Sequence, residues 1–243
     1  MKRALLLLAF WVAAATALAQ PAEPRSLRIL FVGNSITTGG DIPERVAKLA
    51  AAMGRTAKVE TVASDDFSLE DHWRDGRALA AIQKGWDVVV LQGGGPARGE
   101  TREKLVESSR QFAQAVRAAK AKPAQFMAWP AADRVRDFPV VIASHRLAAA
   151  AADSMLLPVG EAWLRALSAD KRLRLYSGAT NSAALGSDLA VLTIYLSLFP
   201  AGHQEFDDAF VARAAKALGV PDDRRDLLFD AATRAIDEPM ALE

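Results

Sequence analysis

The stretch Leu27-Arg28-Ile29-Leu30-Phe31-Val32-Gly33-Asn34-Ser35-Ile36-Thr37 decides the fold. Its first six residues form an apolar run that reads as a buried strand. Gly33-Asn34-Ser35 interrupts that run. Beyond Gly39-Gly40, Asp41-Ile42-Pro43-Glu44 reads as a helix start with proline near its first turn. A serine at a strand tip, followed at once by a turn, is held away from the packed core. Its Oγ can face a crevice at the carboxyl end of a sheet, where α/β folds place their chemistry. Ser35 is therefore the candidate nucleophile, although all three residues of Gly33-Asn34-Ser35 are also ordinary turn formers.

Outward from this strand the chain alternates short β-like runs with longer helical ones. Strands are expected at Leu27–Val32, Lys58–Val62, Asp87–Leu91, Gln125–Trp129 and Met155–Val159. Helices are expected near Ile42–Met53, Leu69–Lys84, Arg102–Lys120, Val140–Asp153 and Ser182–Leu198. This alternation predicts an α/β fold: a parallel sheet with helices on both faces, its strand ends brought to one edge by right-handed crossovers. Phe206–Leu218 and Asp222–Ile236 read as two amphipathic helices joined by Gly219-Val220-Pro221, a C-terminal appendage (206–243) packed on the main domain (20–205).

The first residues read as an export signal. Lys2 and Arg3 precede an apolar Ala4–Ala15 segment, and Ala17-Leu18-Ala19 is a small-x-small cleavage pattern before Gln20. The expected mature protein is periplasmic or secreted. Removal of 19 residues from 243 leaves 224, enough for one α/β domain with a full core. No later segment offers the roughly 18 consecutive apolar residues of a membrane span. The chain has no cysteine, which excludes disulfides and thiol chemistry. Without Lys2 and Arg3, 28 basic residues face 29 acidic ones. Such a balance gives no reason to expect a nucleic-acid partner. The titratable residues show no metal-ligand spacing, and no cofactor is expected.

Several blocks in order extend the first motif: Leu69-Glu70-Asp71-His72-Trp73, Asp87-Val88-Val89-Val90-Leu91-Gln92, Pro158-Val159-Gly160-Glu161-Ala162-Trp163 and Leu185-Gly186-Ser187-Asp188-Leu189-Ala190. Together with Ile29–Thr37 they resemble the SGNH (GDSL-type) hydrolase superfamily in its Gly-Asn-Ser variant, from about residue 27 to residue 198. The resemblance implies a flavodoxin-like three-layer sandwich with a five-stranded parallel sheet, and ester or acyl hydrolysis at a shallow open site. It also implies a triad in which a histidine takes the serine proton and an aspartate three residues before it orients the ring.

This chain departs from that pattern. Anchored on Leu185-Gly186, the histidine position falls on Asn181 and the aspartate position on Gly178; Lys171 to Ser187 contains no His, Asp or Glu. Asparagine has no basic lone pair at neutral pH, and glycine has no side chain. In Ala63-Ser64-Asp65-Asp66-Phe67-Ser68, Asp66 or its neighbour stands where the family's glycine N–H would meet the oxyanion, and a carboxylate there opposes catalysis. Gln92, Gly93 and Gly94 occupy the region of the oxyanion-binding asparagine. Gln92 offers a side-chain N–H, and the glycines offer backbone N–H groups or a tight turn.

Three histidines could substitute as base. His72 belongs to one of the shared blocks, His145 reads as a surface or boundary residue within a helix, and His203 reads as a loop residue. Asp65 and Asp66 are unconventional alternatives. Trp73, Trp86, Trp129 and Trp163 read as core or rim packing, with Trp129-Pro130 best placed to line a crevice for a sugar or acyl ligand. Two functions are thereby expected. One is an impaired SGNH-like protein that binds an acylated or carbohydrate ligand at Ser35. The other is an active serine esterase with an unconventional base.

Overall fold

A computed structural model describes residues 26–95, 99–199 and 207–241. The export signal and His203 lie outside the described residues. Five parallel strands, β1 (Leu27–Gly33), β2 (Ala57–Ala63), β3 (Val88–Gln92), β4 (Lys122–Phe126) and β5 (Met155–Leu157), form one sheet in the order β2-β1-β3-β4-β5. β1 is central, pairing Leu27–Gly33 with Ala57–Ala63 on one side and Ile29–Val32 with Val88–Leu91 on the other. Ile29 to Val32 are fully buried, as a near-continuous apolar run in a doubly covered parallel sheet requires. The strand order changes direction between β1 and β3, and that switch point is where open α/β sheets form a crevice at their carboxyl ends.

Helices cover both faces. A short helix, α1 (Ser35–Thr38), follows β1 directly and leads into α2 (Ile42–Ala52). The remaining helices are α3 (Leu69–Asp75), α4 (Arg77–Ile82), α5 (Glu100–Ala118), α6 (Phe138–Ala151), α7 (Val159–Ala169), α8 (Ala184–Leu198), α9 (Asp208–Leu218) and α10 (Asp222–Asp237). One core layer joins the sheet to α2, α7, α8 and α10; a second joins it to α3, α4 and α5. The result is the expected flavodoxin-like three-layer α/β architecture.

Three expected elements differ. The helix expected over Leu69–Lys84 is two, broken at Gly76, whose left-handed φ of 82° ends α3 and turns the chain into α4. The fourth strand runs Lys122–Phe126 rather than Gln125–Trp129. Pro123 argues against strand in a sequence reading, yet it sits one residue before β5 pairing begins at Ala124, a strand start where the missing N–H is tolerated. The fifth strand stops at Leu157, because Pro158 and Val159 open α7, a helix the strand-like start of that segment concealed.

α8 is buried on every side from Gly186 to Leu196. Its outer surface needs cover, and α10 supplies it by packing on α7 and α8, while α9 packs on α2. The end of α10 is clipped to α7. Glu161, 1% exposed, accepts from Arg146 (2.5 Å), Arg165 (3.2 Å) and the Met240 backbone N–H (2.6 Å). Arg146 also donates to the Met240 carbonyl at 2.8 Å, and Arg165 to that of Glu238. No helix among the described residues is long and apolar enough to cross a membrane.

Candidate functional site

Ser35 is the first residue of α1, at the carboxyl end of β1, and is half-buried. Asn34 caps that helix: its Oδ1 accepts from the Ile36 N–H at 3.0 Å, while its Nδ2 donates to the Phe67 carbonyl at 3.0 Å. Gln92, fully buried at the end of β3, fastens the turn from the other side. Its Oε1 accepts from the Asn34 N–H (3.0 Å) and the Thr37 hydroxyl (2.9 Å), and its Nε2 donates to the Gly93 carbonyl. The Gln92 amide is thus used inside the protein to hold the serine turn. Gly33 is required by the same clamp. A Cβ there would lie 2.6 Å from Gln92 Oε1 and closer still to Thr37 Oγ1.

His72 is fully buried on α3 and donates from Nε2 to the Gly33 carbonyl at 2.7 Å. The same carbonyl accepts from the Ser64 N–H at 3.3 Å. His72 therefore welds the end of β1 to the segment after β2. Burial holds its imidazole below the ordinary histidine range, which favours the neutral donor form. His145 is fully buried too, not on the surface or at a boundary. It belongs to a chain of polar groups in which Ser109 donates to Gln125 (3.0 Å) and Gln125 Nε2 faces His145 Nδ1 at 3.4 Å. Burial pushes its pKa down to about 4, with the Gly94 carbonyl pulling the other way. Each ring has one nitrogen engaged by the fold, His72 Nε2 with the Gly33 carbonyl and His145 Nδ1 facing Gln125.

The loop that would carry the acid and base is well anchored. Tyr176 and Ser182 form an antiparallel bridge, and Ser177 N–H donates to the Asn181 carbonyl at 3.0 Å. The Ala179 carbonyl accepts from the Ala132 N–H (2.7 Å), Thr180's from Trp129 Nε1 (2.8 Å), and Pro130's from the Tyr176 hydroxyl (2.9 Å). Gly178 and Asn181 stand exposed at its tip. Trp129 does not line a crevice: it is 1% exposed, stacked on Trp163 at 3.9 Å between ring centroids. Asp66 is exposed, in a turn closed by Phe67 N–H to the Ser64 carbonyl (3.2 Å), with a left-handed φ of 60°. Glycine would adopt that backbone without strain. Among the described residues the Ser35 hydroxyl has no hydrogen-bond partner, and no group of three or more His, Asp or Glu side chains could hold a metal ion.

A central β1 ending in a capped serine turn, beside β3 at the switch point, defines a protein with an SGNH/GDSL-like hydrolase fold. Solved structures carry the same architecture. A candidate SGNH hydrolase from Slackia heliotrinireducens is 27% identical, over 72% of this chain and 100% of its own, with a TM-score of 0.59. A DUF4886 family protein from Bacteroides uniformis shares 15% identity over 90% of this chain and 98% of its own, with a TM-score of 0.73. An acetylxylan esterase from Geobacillus stearothermophilus shares 13% identity over 76% of this chain and 98% of its own, with a TM-score of 0.57. No family model and no curated protein matches the sequence.

Proposed function

We propose that this is an exported, catalytically impaired member of the SGNH-like hydrolases, which keeps the crevice at Ser35 for binding an acylated or carbohydrate ligand. The observation that carries the proposal is the Ser35 hydroxyl, which has no hydrogen-bond partner among the described residues. In serine hydrolysis a base must take the hydroxyl proton as the acyl carbon is attacked, and an acid or oriented carboxylate must hold that base. Gly178 and Asn181 supply neither group, although the loop that presents them is firmly built. His72 and His145, both buried, each turn one ring nitrogen to the fold, at Gly33 and at Gln125, which argues against either as the base. Loss of a triad member lowers kcat by on the order of 10⁴ to 10⁶.

The alternative is an active esterase in which Ser35 uses an unconventional base; the esterases and hydrolases among proteins of the same fold are what favours it. Fluorophosphonate labelling and turnover of short-chain aryl acetates separate the two. Neither is expected to exceed the background of Ser35→Ala. Labelling and turnover that vanish in Ser35→Ala would overturn impairment. In the same assay, Gly178→Asp combined with Asn181→His is expected to raise turnover, because the loop scaffold is in place.

A further inference from the structure

Strand β2 is an edge of the sheet and pairs with β1 alone. The ladder between them fixes which way the β2 backbone points. Leu27 N–H donates to the Thr56 carbonyl at 2.9 Å, and Ser64 N–H donates to the Gly33 carbonyl at 3.3 Å. Backbone groups alternate in direction along a strand. Those of Lys58, Glu60 and Val62 therefore face β1, and those of Ala57, Val59 and Thr61 face outward. Among the described residues these outward N–H and C=O groups have no hydrogen-bond partner. No residue of β2 is buried, whereas β3 is buried throughout. An open edge is a template for another strand, and proteins usually shorten, bend or charge it. The opposite edge, β5, is cut to three residues. β2 keeps seven, in unbroken register with β1 and without proline. Its two charges, Lys58 and Glu60, are opposite in sign and share one face.

We infer that β2 pairs antiparallel with β2 of a second copy of this chain, about a two-fold axis at Val59, joining the two sheets into one. The charges select this register. With Val59 opposite Val59, Lys58 lies opposite Glu60 of the second copy, and Glu60 lies opposite its Lys58. The backbone fits the same register. Ala57 then meets Thr61, both with outward groups, and the Lys–Glu pairs fall at the non-hydrogen-bonded positions, where side chains approach most closely. A register centred on Glu60 would set two carboxylates face to face, and one centred on Lys58 two ammonium groups; like charges directly opposite are destabilising. Within one copy Lys58 has no ion pair among the described residues. Glu60 pairs with the exposed Lys84 at 2.6 Å, and its carboxylate can accept a second cation. The Ser35 turns of the two copies then face opposite ends of the joined sheet.

The test is sedimentation of the purified protein over a range of concentrations, with amide hydrogen exchange. A monomer–dimer equilibrium is expected, with a Kd of about 10–100 µM for so short an interface. Exchange at the Val59 and Thr61 amides should slow as concentration rises, while the Lys58 and Glu60 amides, already bonded to β1, should not respond. Lys58→Glu and Glu60→Lys should each raise Kd at least about tenfold, and the two together should return it to within about threefold of the parent. Val59→Pro removes an outward N–H and no bond to β1, and should leave a monomer. If that variant does not fold, the charge exchange decides. A protein still monomeric at about 200 µM overturns the inference, even if its edge takes up an extended peptide. So do protection confined to other amides, single reversals without effect, and a double exchange as weak as the singles.

Discussion

Asp66 holds a left-handed backbone that most side chains avoid, at or beside the position where the resemblance expects a glycine. For an L-residue that conformation costs roughly 1–2 kcal/mol, least for Asp and Asn, whose short side chains bond locally. Asp66→Gly is therefore expected to match or slightly exceed the parent in urea-denaturation midpoint. Asp66→Val should lose about 1–2 kcal/mol; a neutral valine would show that the turn relaxes freely. His145 gives a second test at this scale. Its folded pKa of about 4 lies below the unfolded value near 6.5, so between these pH values the unfolded chain binds the extra proton. Its contribution is complete above about pH 6.5 and declines as pH falls towards 4. A gap of this size corresponds to roughly 3 kcal/mol. His145→Gln should flatten that segment of the stability-against-pH curve relative to the parent, as read by urea denaturation at several pH values. Parallel curves would contradict a neutral, buried ring. The Ser35 turn is legible in the sequence because its signal is local. Gln92 as the clamp of that turn is not, because Asn34 and Thr37 lie 58 and 55 residues away. His72 escapes for the same reason: its partner Gly33 is 39 residues away.

At the scale of elements, strand and helix positions follow from apolar runs and turn residues, and the misplaced boundaries have identifiable causes. Gly76 is a helix end concealed inside a helical pattern. Pro123 is a strand residue because of where its neighbour strand begins. α7 begins immediately after a three-residue strand, so the two share one apolar run. Pattern alone also leaves α7's buried carboxylate unexplained. Glu161 is 1% exposed, and its charge is matched by Arg146, Arg165 and the Met240 N–H, which tie α6, α7 and the end of the chain together. Removing one side of a buried ionic cluster leaves the other charges without a partner, typically at about 3–5 kcal/mol. Glu161→Ala is expected to lose that much in denaturant unfolding, and Glu161→Gln, which keeps an acceptor, to lose less. Equal losses would mean that volume, not charge, matters at this position.

At the scale of the molecule, the amphipathic patterns of α9 and α10 announce two helices but not what they cover. That depends on α8, whose residues from Gly186 to Leu196 are buried all round although a surface helix needs only one apolar stripe. α2, α7 and α10 all pack on α8, and Leu228, Phe229 and Ala232 of α10 are buried in the same core layer. The C-terminal helices therefore complete the core layer behind β1, the strand that carries Ser35. A chain ending after Phe199 would expose the outer side of α8 and cut the Glu161 clip at Glu238 and Met240. It is expected to be insoluble, or to bind a hydrophobic dye while retaining helical circular dichroism without cooperative melting. A soluble truncated chain that melts cooperatively within about 4 °C of the parent, equivalent to about 1 kcal/mol, would show instead that residues 27–199 close their own core and that α10 only decorates it.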